Sequence, residues 1–432
     1  MARYFRFQQH RTSYGQEAVA GLTTFMTMSY IIVVNPAIMA AAGLPREASM
    51  VATIATAIFG TVLMGLYANR PFAVAPYMGE NAFLAFTVVA QLGFPWTQAL
   101  GAAFIAGVLF ILLTLTKVRQ WLLDAVPLNL RYSFAVGIGL FMTFIGLNET
   151  GIVTLGAAGA PVHTGNLTSR AVLVALFGFL LIAVLMIRKF PGAILVGIAA
   201  TTLLAYVTGV AQAPGAVVSM PPSLAPIFLK MDIRGALSMG FFGVVLTIFV
   251  MAFVDTMGTL IGLSARANLL VEGTLPQIER PMLVDALATT FAAVSGTSTA
   301  GAYIESATGI ESGGRTGFTS LVTAGCFALA LFFAPLVAAV PPQAYGPALI
   351  IVGLLMLAPI VKIDFNDYTE LIPAFAVVAL MSFTYNIGIG ITAGFVLAPF
   401  CKVVAGRWRE VKPGLWVLAG LSLAFFVFYP YV

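Results

Sequence analysis

Apolar runs of about 20 residues, separated by short polar breaks, recur along nearly the whole chain. A helix crosses hydrocarbon in roughly that length, and in less where it is broken. The runs at about 17–40, 47–68, 77–92, 96–117, 129–149, 170–188 and 191–210 predict seven spans in the first half. Those at about 237–264, 281–294, 302–311, 317–340, 345–361, 370–386 and 388–404 predict seven more. The apolar stretch 414–431 is left over, either as a terminal span or as a sign that the count there is off by one.

Residues 1–16 form a polar arm, expected to stay in the cytoplasm, and the Pro-rich stretch 211–236 is the longest polar connection. It divides the chain into a first repeat, 17–210, and a second, 237–432. An odd number of spans per half makes the halves insert in opposite senses, the plan of an inverted repeat. Each half is interrupted at the same place. Pro71, Pro76 and Gly79 break the approach to the third span, and Ser295, Gly296, Thr297, Ser298 and Thr299 break the approach to the tenth. Matching short or Gly/Pro-broken segments are a sequence pointer to a binding site. Each break ends in a similar triplet, Glu80-Asn81-Ala82 and Glu305-Ser306-Ala307.

Composition sharpens the class. Of 432 residues, 60% are hydrophobic and only 9% charged, against about 25% charged in soluble domains. A soluble fold could not cover so much apolar surface with a polar skin, whereas a bilayer asks for none. The net charge of +5 comes from single basic residues between apolar runs, so no nucleic-acid surface is expected. With the N-terminus inside, only Arg46, Arg170, Lys230 and Arg234 of the 21 cations fall outside, which fits the positive-inside rule. The first stretch is basic and lacks a cleavage site, so no signal peptide is expected. Cys326 and Cys401 sit in apolar runs, and neither His10 nor His163 lies in a span. No disulfide framework, metal spacing or cofactor motif appears, and an enzyme is not expected.

Three carboxyls lie deep in apolar sequence: Glu80, Asp255 and Glu305. A charge at the bilayer centre costs about 3 kcal/mol on insertion scales, and such residues mark ion, proton or substrate paths. No Lys or Arg lies deep in a span to pair with them. Low dielectric favours a neutral carboxyl, so these three are candidate proton carriers. Two of them have a plainer reading. Glu80 could cap the short helix after Gly79, and Thr256 and Thr259 could satisfy Asp255. Asn81 offers an amide with donors and an acceptor, suited to a nucleobase edge. Phe83, Phe253 and Tyr303 are aromatic neighbours of the breaks, either core residues or stacking partners. The glycines at 137, 139, 146, 388, 390 and 394 suit close helix packing.

The strings GLTTFMTMSYIIVVNP (21–36), APYMGENAF (75–83), FVDTMGTLIG (253–262) and GTSTAGAYIESATGIESGGRTG (296–317) resemble the nucleobase–cation symporter-2 family, in its azaguanine-resistance branch. GPALIIVGLLM (346–356) and TELIPAF (369–375) fit the same branch, and the resemblance runs along nearly the whole chain. It implies an all-α polytopic protein of about fourteen spans in a seven-plus-seven inverted repeat, with short strands in spans 3 and 10, the uracil-permease-like fold. Spans 1–4 and 8–11 would form a core domain and spans 5–7 and 12–14 a gate domain. It also implies proton symport of adenine, guanine or hypoxanthine across the inner membrane of a bacterium, and a possible homodimer through the gate. By motif, Asn81, Asp255 and Glu305 match polar residues important in the family. The expected substrate contacts are Glu80, Asn81, Phe83, Ala252, Phe253, Thr297, Ser298, Thr299 and Glu305, with Glu305 and Asp255 coupling the proton.

One position departs. The family's eighth span usually carries two acids three residues apart; here Asp255 fills the second place and Ala252 the first. An engineered or impaired variant, a natural paralogue with altered substrate, and compensation by Glu305 and Asp255 all fit. A buried base donor left unpaired costs about 1–3 kcal/mol, up to roughly a hundredfold in affinity. Rival readings are a carrier of another nucleobase or an anion on the same architecture, an intramembrane enzyme, and a receptor. The anion carrier wants a cation in the pocket, the enzyme wants a catalytic set, and the receptor has no use for broken helices with carboxyls. If Ala252 is a defect, Ala252→Asp raises purine uptake and binding; a substitution that leaves both unchanged shows that it is not.

Overall fold

The computed structural model describes residues 2–116, 125–157, 160–238, 242–267, 269 and 275–428. The expected cytoplasmic cations Lys117 and Arg119, residues 239–241 of the eighth span and the end of the 414–431 stretch lie outside these. The protein is a helical multi-pass membrane protein. Among the described residues nine helices are long and apolar enough to cross a bilayer, several shorter ones accompany them, and two spans are broken.

The first span is α1 (Tyr14–Met28) and α2 (Ile31–Ala41), interrupted at Ser29 and Tyr30. The second is α3 (Arg46–Leu66). The third begins as a strand, β1 (Val74–Pro76), and continues as α4 (Met78–Ala82) and a π-helical stretch, Phe83–Gln91. Then come α5 (Trp96–Leu115), α6 (Leu128–Glu149), β2 (Val153–Ala157), β3 (Ala160–Thr164), α7 (Arg170–Ile187) and α8 (Ala193–Val207). The second half repeats the order with α9 (Phe242–Arg266), α10 (Glu279–Ser295), β4 (Ala300–Ala302) and α11 (Ser306–Glu311). It continues with α12 (Gly317–Ala330), α13 (Pro342–Met356), α14 (Tyr368–Phe383) and α15 (Ile387–Val404).

Two features depart from the expected count. The leftover apolar stretch forms its own helix, α16 (Pro413–Phe428), which packs on α15 and α9. Phe425 fills the space beside Gly243 at the start of α9, and Leu418 reaches Val254 further along, so α16 runs antiparallel to α9. The connection after α6, which no expected span covers, is an antiparallel hairpin with Val153 opposite Thr164 and Thr154 opposite His163. The mostly helical architecture therefore carries two small sheets.

Packing separates two neighbourhoods. α3 lies on α12, α1 on α12 and α10 on α5, enclosing the broken spans. α6 lies on α13 and α14, α13 on α7, and α14 on α15. The α6–α13 crossing is backbone to backbone. A Cβ on Gly139 would stand 2.7 Å from the Gly353 carbonyl oxygen, and one on Gly146 2.7 Å from that of Gly346. Small residues at a crossing let helices approach this closely in lipid.

Polar pairing fixes the helix ends. Asp367 accepts from the Thr369 amide at the start of α14 and from Arg407 Nη1 at 2.6 Å. The Thr369 side chain and the Arg407 guanidinium hold its carboxyl well below the usual carboxylate range. Lys402 Nζ meets Glu370 at 2.8 Å and Glu410 at 3.1 Å. At the start of α12, the buried Glu17 carboxylate accepts from the amides of Arg315, Thr316 and Thr319 and from the hydroxyls of Thr316 and Thr319. These bonds tie the first span to the eleventh through groups that the helix start leaves unpaired. Glu17→Ala should cost at least about 2 kcal/mol by stranding buried donors, read as a lower melting temperature in detergent. Glu17→Gln, which keeps one acceptor, should lose less.

Candidate functional site

Strands β1 and β4 pair antiparallel, with Val74 opposite Ala302, Ala75 opposite Gly301 and Pro76 opposite Ala300. The ladder continues through Tyr77 N to Thr299 O at 3.0 Å and Tyr303 N to Ala73 O at 2.9 Å. A two-stranded ribbon has two bare edges, and hydrocarbon offers no water to cover them. Threonines from two intact helices do so. Thr61 Oγ1, on α3, accepts from Val74 N at 2.9 Å and donates to Val74 O at 3.1 Å. Thr289 Oγ1, on α10, accepts from Ala300 N at 3.2 Å and donates to Ala300 O at 2.8 Å. Asp285 Oδ2 accepts from Ala302 N at 3.2 Å, and Ser306 Oγ from Ala73 N at 2.9 Å. The two halves thus close the ribbon in matching ways.

Gly301 is required here, because a Cβ would collide with the Tyr77 hydroxyl. The Tyr77 and Tyr303 rings lie nearly parallel, 9° apart with centroids separated by 6.3 Å. Tyr303 donates to the Pro76 carbonyl, and the Tyr77 hydroxyl lies 3.2 Å from Thr256 Oγ1 on α9.

Past the strands the chain presents its polar side chains. Glu80 and Asn81 are fully buried, as are Thr297, Ser298 and Thr299. Asn81 Nδ2 donates to Asn35 Oδ1 on α2, and Asn35 Nδ2 donates to Thr53 Oγ1 at 2.8 Å and Thr297 Oγ1 at 3.1 Å. This chain joins spans 1, 2, 3 and the second break. Both Glu80 carboxylate oxygens, Asn81 Oδ1, Ser298 Oγ and Thr299 Oγ1 have no hydrogen-bond partner among the described residues. Glu305, half-buried before α11, accepts from the Tyr30 hydroxyl at 2.5 Å. Its carbonyl also accepts from Thr308 Oγ1 at 2.7 Å.

Tyr303 connects the three carboxyls. Charge on Glu305, Glu80 or Asp255 reaches its hydroxyl, and Glu80 and Asp255 lie within electrostatic reach of each other. The structure therefore brings Glu80, Asn81, Asp255, Thr297, Ser298, Thr299 and Glu305 to the paired breaks. Ala252 is buried one turn before Asp255, and Phe83 is buried in the core two residues past Asn81. Phe253 stands apart. It stacks on Phe249 with centroids 6.0 Å apart and lines an apolar cavity with Val126, Phe395 and Leu418.

Residues that sequence reasoning missed are Tyr30, Asn35, Thr61, Tyr77 and Thr289. Only Tyr77 carried a signal, as the residue after β1 that mirrors Tyr303 after β4. Among the described residues no group of three His, Cys, Asp or Glu is placed to hold a metal. The site offers acceptors, hydroxyls and aromatic faces, with carboxyls that can exchange a proton.

A family model described as a permease family matches residues 15–398. The chain belongs to the nucleobase–cation symporter-2 family. Among similar relatives, the guanine/hypoxanthine permease PbuO of Bacillus subtilis is 42% identical over 96% of this chain and 98% of its own. The adenine permease AdeP of Escherichia coli is 39% identical over 99% of this chain and 96% of its own. Among solved structures, the transmembrane domain of the cyanobacterial bicarbonate transporter BicA aligns with TM-score 0.67 and 17% identity, over 88% of this chain and 96% of that one. Murine Slc26a9, an anion transporter in the inward-facing state, aligns with TM-score 0.65 and 11% identity over 92% of this chain and 69% of that one. At these identities the likeness is one of fold.

In this symporter-family chain, Thr61→Val and Thr289→Val each strand a buried amide and carbonyl, about 1–3 kcal/mol per group. Both should lower the melting temperature and speed hydrogen exchange at Val74 and Ala300. Unchanged exchange at those amides would show that the ribbon does not need its threonine edges.

Proposed function

We propose that this permease imports purine nucleobases, namely adenine, guanine or hypoxanthine, across the cytoplasmic membrane together with protons. The observation that carries the reading is the set of buried, cation-free hydrogen-bonding groups where the two broken spans meet. Among the described residues no Lys or Arg makes an ion pair or hydrogen bond with Glu80, Asn81, Asp255 or Glu305. Purine permeases of nearly full-length similarity support the choice of cargo.

In this account Asn81 and Glu305 bind the polar edges of the base, with Ser298 and Thr299 supplying hydroxyls. A neutral purine needs such acceptors and donors rather than a counter-ion. Tyr77 and Tyr303 offer flat apolar faces to its ring. Ala252 and Phe83 would complete the apolar wall, and Phe253 acts through packing of α9. Asp255 serves the proton. Spans 1–4 and 8–11 form the core domain that carries the site; spans 5–7 and 12–14 form the gate against which it moves. The N-terminus is cytoplasmic, lipid surrounds the spans, and a homodimer forms through the gate. An anion carrier is the rival on the same fold, but its cargo would face carboxyls with no cation, which electrostatics disfavours.

Proteoliposomes should accumulate labelled adenine, guanine or hypoxanthine when the outside is acid, and a proton uncoupler should abolish accumulation. Asn81→Ala and Glu305→Gln should each weaken purine binding by at least about tenfold, the loss of one buried hydrogen-bond partner. Transport of bicarbonate or another anion without purine transport would overturn the assignment.

A further inference from the structure

We propose that the proton moving with the purine is held between Glu80 and Asp255, where the third span meets the eighth, and not on Glu305. The inference rests on the purine-import reading and adds to it the place of the coupling ion.

Glu80 is fully buried, and neither carboxylate oxygen has a hydrogen-bond partner among the described residues. An anion so placed loses its water and gains nothing in exchange. Its charged neighbour makes matters worse: Asp255 is within electrostatic reach. Their helices, α4 and α9, pack on each other, and two carboxyls within reach in low dielectric do not both ionise but titrate as a unit. One shared proton removes one of the two charges and supplies an O–H donor for the orphaned oxygens. Ser298 Oγ and Thr299 Oγ1, also buried and unpartnered, are a second sign of a site that takes up a guest.

Among the described residues the surroundings offer no counter-charge. From its own segment Glu80 has Tyr77 beside it, and from the second break come Tyr303 and then Glu305. On α10 stands Asp285, whose Oδ2 already accepts from Ala302 N. α9 adds Thr256 beside Tyr77, and Ala252 offers no polar side-chain atom. α2 carries no titratable residue, and α6 presents Ile138 at Gly79, with Arg131 and Glu149 two or more turns away. Glu305 differs. Its Oε1 accepts from the Tyr30 hydroxyl, a partner of the kind that the Glu80 oxygens lack among the described residues.

The step is a simple exchange. Hydronium on the outer side gives a proton to the pair, one of its O–H bonds breaking to leave water as one carboxyl O–H bond forms. After the core has moved, that bond breaks and the proton passes to water on the inner side, leaving the pair doubly charged only in passing.

The test counts protons per purine in proteoliposomes, with a trapped pH dye and labelled hypoxanthine. Wild-type protein should move protons with purine in a fixed ratio. In Glu80→Gln and Asp255→Asn the ratio should fall at least about tenfold, as expected when a site for one proton is removed. Glu305→Gln should lower flux while the remaining turnovers keep their ratio. A wild-type ratio in Glu80→Gln overturns the proposal. Wild-type protein that moves no purine overturns instead the reading on which it rests. If Glu80→Gln moves no purine, infrared spectra of the unliganded proteins at about pH 7 decide. The carboxylic-acid C=O band of the wild type should be lost in Glu80→Gln, and its persistence there overturns the proposal.

Discussion

Hydrocarbon offers no hydrogen bonds, so a chain that leaves the helix inside a bilayer must find partners for every amide and carbonyl it exposes. Here two such departures answer each other. Val74–Pro76 and Ala300–Ala302 pair across the middle of the molecule, and Thr61 and Thr289 close the two outer edges. Each unsatisfied group would cost several kcal/mol, so neither break is stable without the other and without those hydroxyls. The pairing also joins the two halves of the chain at one point, where Asp285 and Ser306 add further bonds.

That junction leaves a polar interior with spare capacity. The outer strand edges are bonded at Val74 and Ala300, while several side chains have no partner among the described residues. Glu80, Ser298 and Thr299 keep oxygens without partners, and Asn81 keeps its carbonyl oxygen free while its amide is fixed by Asn35. Rigid backbone and unspent side-chain groups are the conditions for binding a polar cargo without rebuilding the site. Around this region the helices are held at their ends by Glu17 of α1, bonded to the start of α12, and by the Asp367–Arg407 pair. The glycine crossing of α6 and α13 brings the other helix group close at its own centre.

Much of this was legible in the residues themselves. Proline, glycine and clustered hydroxyls betrayed both breaks, and carboxyls in apolar runs pointed to the candidate site, because each violates what lipid prefers. The supporting residues gave no such sign. Thr61 and Thr289 look like any small polar residue in a span, and Asn35 lies in a run otherwise apolar from Ile31 to Ala41. Their meaning depends on which strand edge or amide lies opposite, a long-range fact. Phe253, two residues from Asp255 on a helix that turns about 100° per residue, lies on another face, where it stacks on Phe249. The 153–164 hairpin carries too little apolar alternation to stand out, and the stretch 414–431, open in the sequence between a terminal span and a miscount, forms the helix α16 over Pro413–Phe428.

The most direct measurement is an experimental structure with a purine bound. Density for the base is predicted beside the tips of Val74–Pro76 and Ala300–Ala302, within hydrogen-bonding distance of Asn81 and Glu305. A base lodged elsewhere, or unbroken helices through 71–92 and 295–311 with Glu305 turned to the acyl chains, would contradict a purine site at the paired breaks.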